Sequence, residues 1–327
     1  MSALSTVRIL AAAAVAATLQ AAVTVDKVNY KGWPNCFRVS NGEVELIVTG
    51  DVGPRIIRFG FFGGQNLFKE FAGQLGRSKE KEFQLRGGHR VWKAPEDPVA
   101  TWAPDNVAVD VTVTPGGVVA REPVEPLTGL QKEIGVEMAA SGTRVTITHR
   151  IHNKGLFPLD FAAWALTMMA QGGIAITGFP PRGSHPQVLE ATNPLVMWAY
   201  TNLSDPRWTF TRKYLLLRQD ANNPEPQKLG LHNPDTWAGY WLNGEMFLKR
   251  FRPGPAAAHP DFGCSFETFT NADFLEIETL GPMTKVAPGG SVTHIETWSL
   301  HKTPWASSVT DTDLDRLVIP LLKRFGE

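Results

Sequence analysis

The chain is cut into short extended-pattern segments separated by turns rich in Gly, Pro, Asn and Asp, and this punctuation constrains the fold more than any other feature. Residues 43–48 alternate apolar and polar, Asp51-Val52-Gly53-Pro54 turns, and residues 55–60 resume an extended pattern. Residues 107–114, 117–122, 130–138 and 144–152 follow, with turns at Pro115-Gly116 and Ser141-Gly142. A period of two is what a pleated strand produces, because successive side chains leave opposite faces. Residues 161–169 are almost wholly apolar, as a strand covered on both faces requires. Shorter strands are expected at 195–200, 214–217, 236–242, 246–251 and 292–300, and an extended segment over 23–39 with a turn at Gly32-Trp33-Pro34-Asn35. Only residues 310–325 read as helix, with Thr310 and Asp311 as caps and a stripe of Leu314, Leu317, Val318, Leu321 and Leu322. Strands recurring at intervals of roughly 8–12 residues, with one terminal helix, predict an all-β chain folded as a large sandwich.

Composition narrows the function. The 327 residues are 43% hydrophobic and 20% charged, enough for a packed core. Formal net charge is zero and no Lys/Arg run occurs, so nothing attracts nucleic acid. Ten Trp and eighteen Phe against four Tyr supply aromatic faces, which pack cores and stack on sugar rings alike. Residues 1–22 have the form of a signal peptide: one Arg at position 8, an Ala-rich apolar run, and small residues at Ala21 and Ala22. The run is too short to span a bilayer. The expectation is a leader at 1–22 and a single domain at 23–327, periplasmic or secreted, with no membrane contact after cleavage. Cys36 and Cys264 are the only cysteines and can form at most one disulfide. Their spacing gives no zinc motif, and His149 and His152, three apart, face opposite sides of a strand. No phosphate loop, dinucleotide fingerprint or Gly-x-Ser-x-Gly occurs, and neither a metal nor a cofactor is expected.

Two stretches concentrate polar chemistry. In Phe274-Leu275-Glu276-Ile277-Glu278-Thr279-Leu280, the alternation puts both carboxylates on one strand face, about 7 Å apart. That face is either solvated or the polar floor of a cleft. Residues 265–269 and a turn at Thr270-Asn271-Ala272-Asp273 precede it as the other arm of a hairpin. In Leu85-Arg86-Gly87-Gly88-His89-Arg90-Val91-Trp92, two glycines let the backbone turn sharply near a ligand. His89 is then either a loop residue or an acid–base group. Arg86 and Arg90 can orient a hydroxyl or an anionic group, and Trp92 can stack on a pyranose.

These stretches, together with Gly53-Pro54-Arg55-Ile56-Ile57 and Leu203-Ser204-Asp205-Pro206-Arg207-Trp208, resemble a mutarotase-like branch of the galactose mutarotase superfamily along nearly the whole chain. The resemblance implies a β-supersandwich with a carbohydrate-binding cleft on one sheet. Aldose 1-epimerases carry a C-terminal base within a Val-Cys-Leu-Glu pattern, which falls here on Leu275-Glu276-Ile277-Glu278 and gives Glu278 that role. Their early His/Arg motif is similar to Gly88-His89-Arg90, so His89 is the expected acid. Arg86, Arg90, Trp92, Glu276, Asp205 and Trp164 are the expected substrate contacts. A second His of those enzymes has no counterpart: the segment after Asn153-Lys154-Gly155 offers Trp164 and Thr167 instead. The expected function is therefore mutarotase-like acid/base chemistry on a sugar, with non-catalytic sugar binding as the alternative and a polysaccharide lyase or hydrolase as a third reading.

Overall fold

In the computed structural model the described residues are 22–326, so all of the expected leader but its last residue lies outside them. Two large antiparallel sheets face each other. The first has eleven strands. Its path runs Thr24–Tyr30, Trp33–Ser40, Val44–Val48, Ile56–Phe61, His89–Ala94, Leu159–Met169, Leu275–Leu280, Phe266–Thr270, Gln227–Leu231, Leu195–Met197, with Thr284–Val286 paired to the start of Leu159–Met169. The second has ten, in the order Trp208–Phe210, Tyr214–Arg218, Ile174–Gly178, Thr236–Leu242, Glu245–Phe251, Ser291–Lys302, Val145–Asn153, Leu130–Met138, Gly117–Arg121, Asp110–Thr114.

The apolar members of the alternating strands meet between the sheets. Phe59, Phe68, Phe247 and Trp298 form the centre of that core, with edge-on and tilted rings whose centroids lie 5.4–6.2 Å apart. The C-terminal helix Asp311–Gly326 covers the outer face of the second sheet, burying Leu314, Leu317, Val318 and Leu321 against Ile176, Tyr214, Trp237 and Leu248. Thr310 caps it, its Oγ1 accepting from the Asp313 N–H at 3.3 Å.

The sandwich and the terminal helix are as the pattern predicts. Some details differ. The first turn is at Lys31-Gly32, both with positive φ, and Trp33, Pro34 and Asn35 already belong to the next strand. Ile174–Gly178, Trp208–Phe210, Gln227–Leu231 and Thr284–Val286 are strands that the turn-rich sequence around them conceals. Cys36 and Cys264 are both buried and unbonded.

Candidate functional site

The middle of the first sheet carries the site. Cross-strand register aligns Arg90 with Leu166 and Leu166 with Glu278, Trp92 with Trp164, Met168 with Glu276, Glu276 with Phe269, and Phe269 with Lys228. Partners directly opposite share a face, so these side chains all leave the sheet on its outer side. They form the floor and walls of a cleft of about 390 Å³, with Arg90, Trp92, Trp164, Lys228, Phe269 and Glu276 among its lining. The parity is set at the start of the His89–Ala94 strand. Gly87 and Gly88 have φ of +97° and +72°, and a Cβ there would lie 1.9 Å from the Lys69 carbonyl oxygen and 2.4 Å from that of Ile56. Only glycine permits that approach.

Charge is concentrated on the floor. Arg90 lies 4.2 Å over the Trp92 ring and donates from Nη2 to Glu276 Oε1 at 3.2 Å. Arg90 is 2% exposed, and its Nε and Nη1 find no hydrogen-bond partner among the described residues. Burial pushes the Glu276 carboxyl up to about 7, with Arg90 opposing the shift and Glu278 adding to it. Lys228 sits between the Trp164 and Trp198 rings, 4.7 Å from each centroid. Its Nζ is 3.0 Å from Glu278 and 2.8 Å from Glu267. Burial works against its charge, yet the two carboxylates outweigh burial and hold the ammonium well above its ordinary range. Burial likewise pushes Glu267 well above the usual carboxylate range, against the pull of Lys228.

Glu278 stands one layer lower than the resemblance implies. It is 0% exposed, and its Oε2 accepts from the Trp164 Nε1–H at 2.9 Å and from Lys228. It anchors two side chains of the cleft wall and does not itself line the cleft. Glu276, on the same face, does. The solvated-face reading of the two carboxylates is thereby corrected.

His89 is not in the cleft. It precedes Arg90 on a strand and so faces the other way, into the sandwich. There the hydrogen bonds close as one relay. Lys249 Nζ donates to Thr167 Oγ1 (3.0 Å), the Thr167 hydroxyl to His89 Nδ1 (2.8 Å), His89 Nε2–H to His149 Nε2 (2.6 Å), and His149 Nδ1–H to the His294 carbonyl (3.0 Å). This tautomer assignment uses each group once. Glu296 accepts from Trp298 Nε1 at 2.8 Å, pairs with Lys249 at 2.7 Å and accepts from Thr279. Burial pushes His89 well below its usual range, and takes His149 down to about 4 and His294 to about 3. Among the described residues, His89, His149 and Glu296 have donor atoms within 4.8 Å of one another, close enough to share a cation. In this arrangement hydrogen bonds and the Lys249 ammonium occupy those same lone pairs.

Arg86 is also away from the cleft. Fully buried, it holds the Gln74 and Arg77 carbonyls, Glu80 and Asn106, and so ties the 72–86 loop down. Asp205 pairs with Arg207 at 2.8 Å, and Arg207 reaches the Glu225 carbonyl at 2.5 Å. That pair fixes the loop leading into the Gln227–Leu231 strand. The structure thus gathers Arg90, Trp92, Trp164 and Glu276 in the cleft, places Glu278 beneath it, and separates His89, Arg86 and Asp205 from it. Lys228, Tyr200 and Trp102 line the cleft without any sequence motif having marked them, and Phe269 and Phe274 line it from within the marked hairpin without having been read as contacts. Gln227-Lys228-Leu229-Gly230-Leu231 does alternate, but Pro226 before it and Gly230 within it make it read as loop.

Among solved structures, a galactose mutarotase-like protein from Lactobacillus casei superposes with a TM-score of 0.54 at 10% identity, covering 82% of this chain and 100% of its own. A galactose mutarotase related enzyme from Lactobacillus acidophilus gives 0.52 at 10% identity, covering 84% and 98%. A candidate aldose 1-epimerase from Klebsiella pneumoniae gives 0.54 at 11% identity, covering 92% and 87%. The chain has the galactose mutarotase-like fold. No protein-family model matches the sequence, and no curated protein matches it. In this mutarotase-like sandwich the cleft sheet presents one carboxyl that titrates near neutrality beside two cations, inside a wall of indole and phenyl rings. Such a set can stack a sugar ring, donate charged hydrogen bonds to its oxygens and exchange a proton with one of them.

Proposed function

We propose that the cleft binds a carbohydrate and that the protein acts on it as an aldose 1-epimerase-type catalyst, with Glu276 as the proton-transferring group. The observation that carries this reading is the position of Glu276: on the floor of an aromatic cleft, with its carboxyl at about 7. A carboxyl near working pH has both proton-transfer states populated, which is the condition general acid–base catalysis favours. Mutarotation requires removal of the anomeric hydroxyl proton and stabilisation of the ring oxygen as the ring opens. Glu276 serves both, exchanging a proton with the ring oxygen and with the anomeric oxygen. Lys228 and Arg90 supply donors for the second. Glu278 positions Lys228 and Trp164.

The alternative is a sugar-binding protein without turnover. It is favoured by the orientation of His89, which leaves the cleft without the imidazole that the resemblance supplies. Exchange NMR on the purified protein, with neutral, acidic and phosphorylated free sugars, separates the two. Faster α/β exchange for one sugar, reduced at least about a hundredfold in Glu276→Gln, is expected. Saturable binding with no exchange would select the binding protein, and neither binding nor exchange would remove the carbohydrate reading.

A further inference from the structure

The geometry points to a sugar acid as the cleft's ligand, a hexuronate whose carboxylate is held by Arg90 beside Glu276. This rests on the carbohydrate reading above and narrows its substrate class. Arg90 is the deciding residue. It is almost wholly buried, stacked on Trp92, and makes one hydrogen bond, to Glu276, while Nε and Nη1 stay unpartnered among the described residues. A buried guanidinium with unpartnered N–H groups is costly unless a ligand completes it, and the planar fork matches a carboxylate.

The charge count agrees. Glu276 is the acidic partner of Arg90, and its carboxyl is raised to about 7 by burial. When Glu276 takes up a proton, the Arg90 charge is left for a single anion. The charged groups around Glu276 are Arg90 and Lys228 across the sheet, Glu278 on its own strand and Lys249 from beneath, and Glu96 and Asp273 also line the cleft. A monoanionic carboxylate replaces one charge with one charge. A phosphate brings about 1.5 to 2 charges at neutral pH, more than this exchange releases.

The covalent geometry of the ligand agrees too. In a hexuronate the carboxylated carbon and the anomeric carbon are both bonded to the ring oxygen. A carboxylate on Arg90 therefore sets the ring oxygen and anomeric hydroxyl beside Glu276, whose Oε1 is 3.2 Å from the same guanidinium. Protonated Glu276 can then donate to the ring oxygen, and the anomeric oxygen can return a proton to it after ring opening. No redox step or co-reactant is involved, and the proton count is unchanged over the cycle.

Calorimetric titration of the whole purified protein tests this, with galacturonate and glucuronate against galactose, glucose and glucose 6-phosphate, at pH 6 and pH 8. The expected result is at least tenfold tighter binding of one uronate than of its neutral hexose at pH 6. The advantage shrinks by pH 8, and heats that vary with buffer report proton uptake. Arg90→Gln should bring the uronate-to-hexose ratio close to one. Arg90→Lys, which keeps the charge, should retain part of it and serves as the folding control. Equal or weaker binding of both uronates, tighter binding of the phosphate, or a preference unchanged in Arg90→Gln would overturn the sugar-acid inference while leaving a carbohydrate cleft. Binding of no sugar at all would overturn both.

Discussion

At the level of single residues, period two decides what can act together. Glu276 and Glu278 share a face, and the spacing alone says so. The same rule forbids His89 and Arg90 from entering one cleft, since neighbours on a strand point apart. That opposition follows from the strand His89–Ala94, which the Gly87-Gly88 pair before it makes read as loop. What the sequence does not reveal is depth. Glu276 and Glu278 look equivalent in the chain, yet Trp164 and Lys228 from other strands cover only Glu278. Lys228 is the hinge of this arrangement. Lys228→Met removes the cation that sits between Glu267 and Glu278 and leaves two carboxyls buried without it. The expected cost is about 3–5 kcal/mol in denaturant unfolding, the range for stripping one partner from a buried ion pair. A loss below about 1 kcal/mol would mean that the Lys228 charge does not hold this triad together.

At the level of elements, long or strongly alternating strands are legible and short ones are not. Leu130–Met138 and Thr236–Leu242 fall where the pattern sets them. Gln227–Leu231 does not announce itself, because its pairing with Phe266–Thr270, a non-local contact, outweighs the local turn signals of Pro226 and Gly230. The terminal helix is legible through its cap and apolar stripe. It packs on the outer face of the second sheet, remote from the cleft. Leu314→Ala is therefore expected to lower unfolding stability by about 2–5 kcal/mol, as for other fully buried leucines, with sugar affinity unchanged. Altered affinity in a folded Leu314→Ala protein would show that the helix and the cleft are coupled through the sandwich.

For the whole molecule, the interior is unusual in holding a polar relay within an aromatic core. Six strands hide seven polar residues on the core side: His89, His149, Thr167, Lys249 and Thr279 from one strand each, and His294 and Glu296 both from Ser291–Lys302. No single stretch of sequence reveals that these meet, because they are brought together from six strands by pairing and by sheet-on-sheet packing. The relay carries a pH signature. His149 is held at about 4, against about 6.5 when unfolded. The unfolded chain then binds more protons than the native one between those values, so the native-state advantage is complete above pH 6.5 and lost as pH falls toward 4. The span is worth on the order of 3 kcal/mol. His149→Gln lacks this linkage, so its stability deficit relative to wild type should be largest at pH 7 and shrink by about that amount by pH 4. A deficit constant across the range would indicate that His149 is not buried neutral.

On the proposed reading, proton transfer in this cleft runs through Glu276, with Glu278 beneath it as an anchor and His89 facing away. Anomer exchange by NMR, on the sugar that the wild-type protein accelerates, tests it most directly when Glu276→Gln and His89→Gln are measured side by side with thermal melts of each. Exchange is expected to fall at least about a hundredfold in folded Glu276→Gln and to be retained in folded His89→Gln. Exchange lost in folded His89→Gln but retained in Glu276→Gln would contradict it and return the acid–base role to the imidazole.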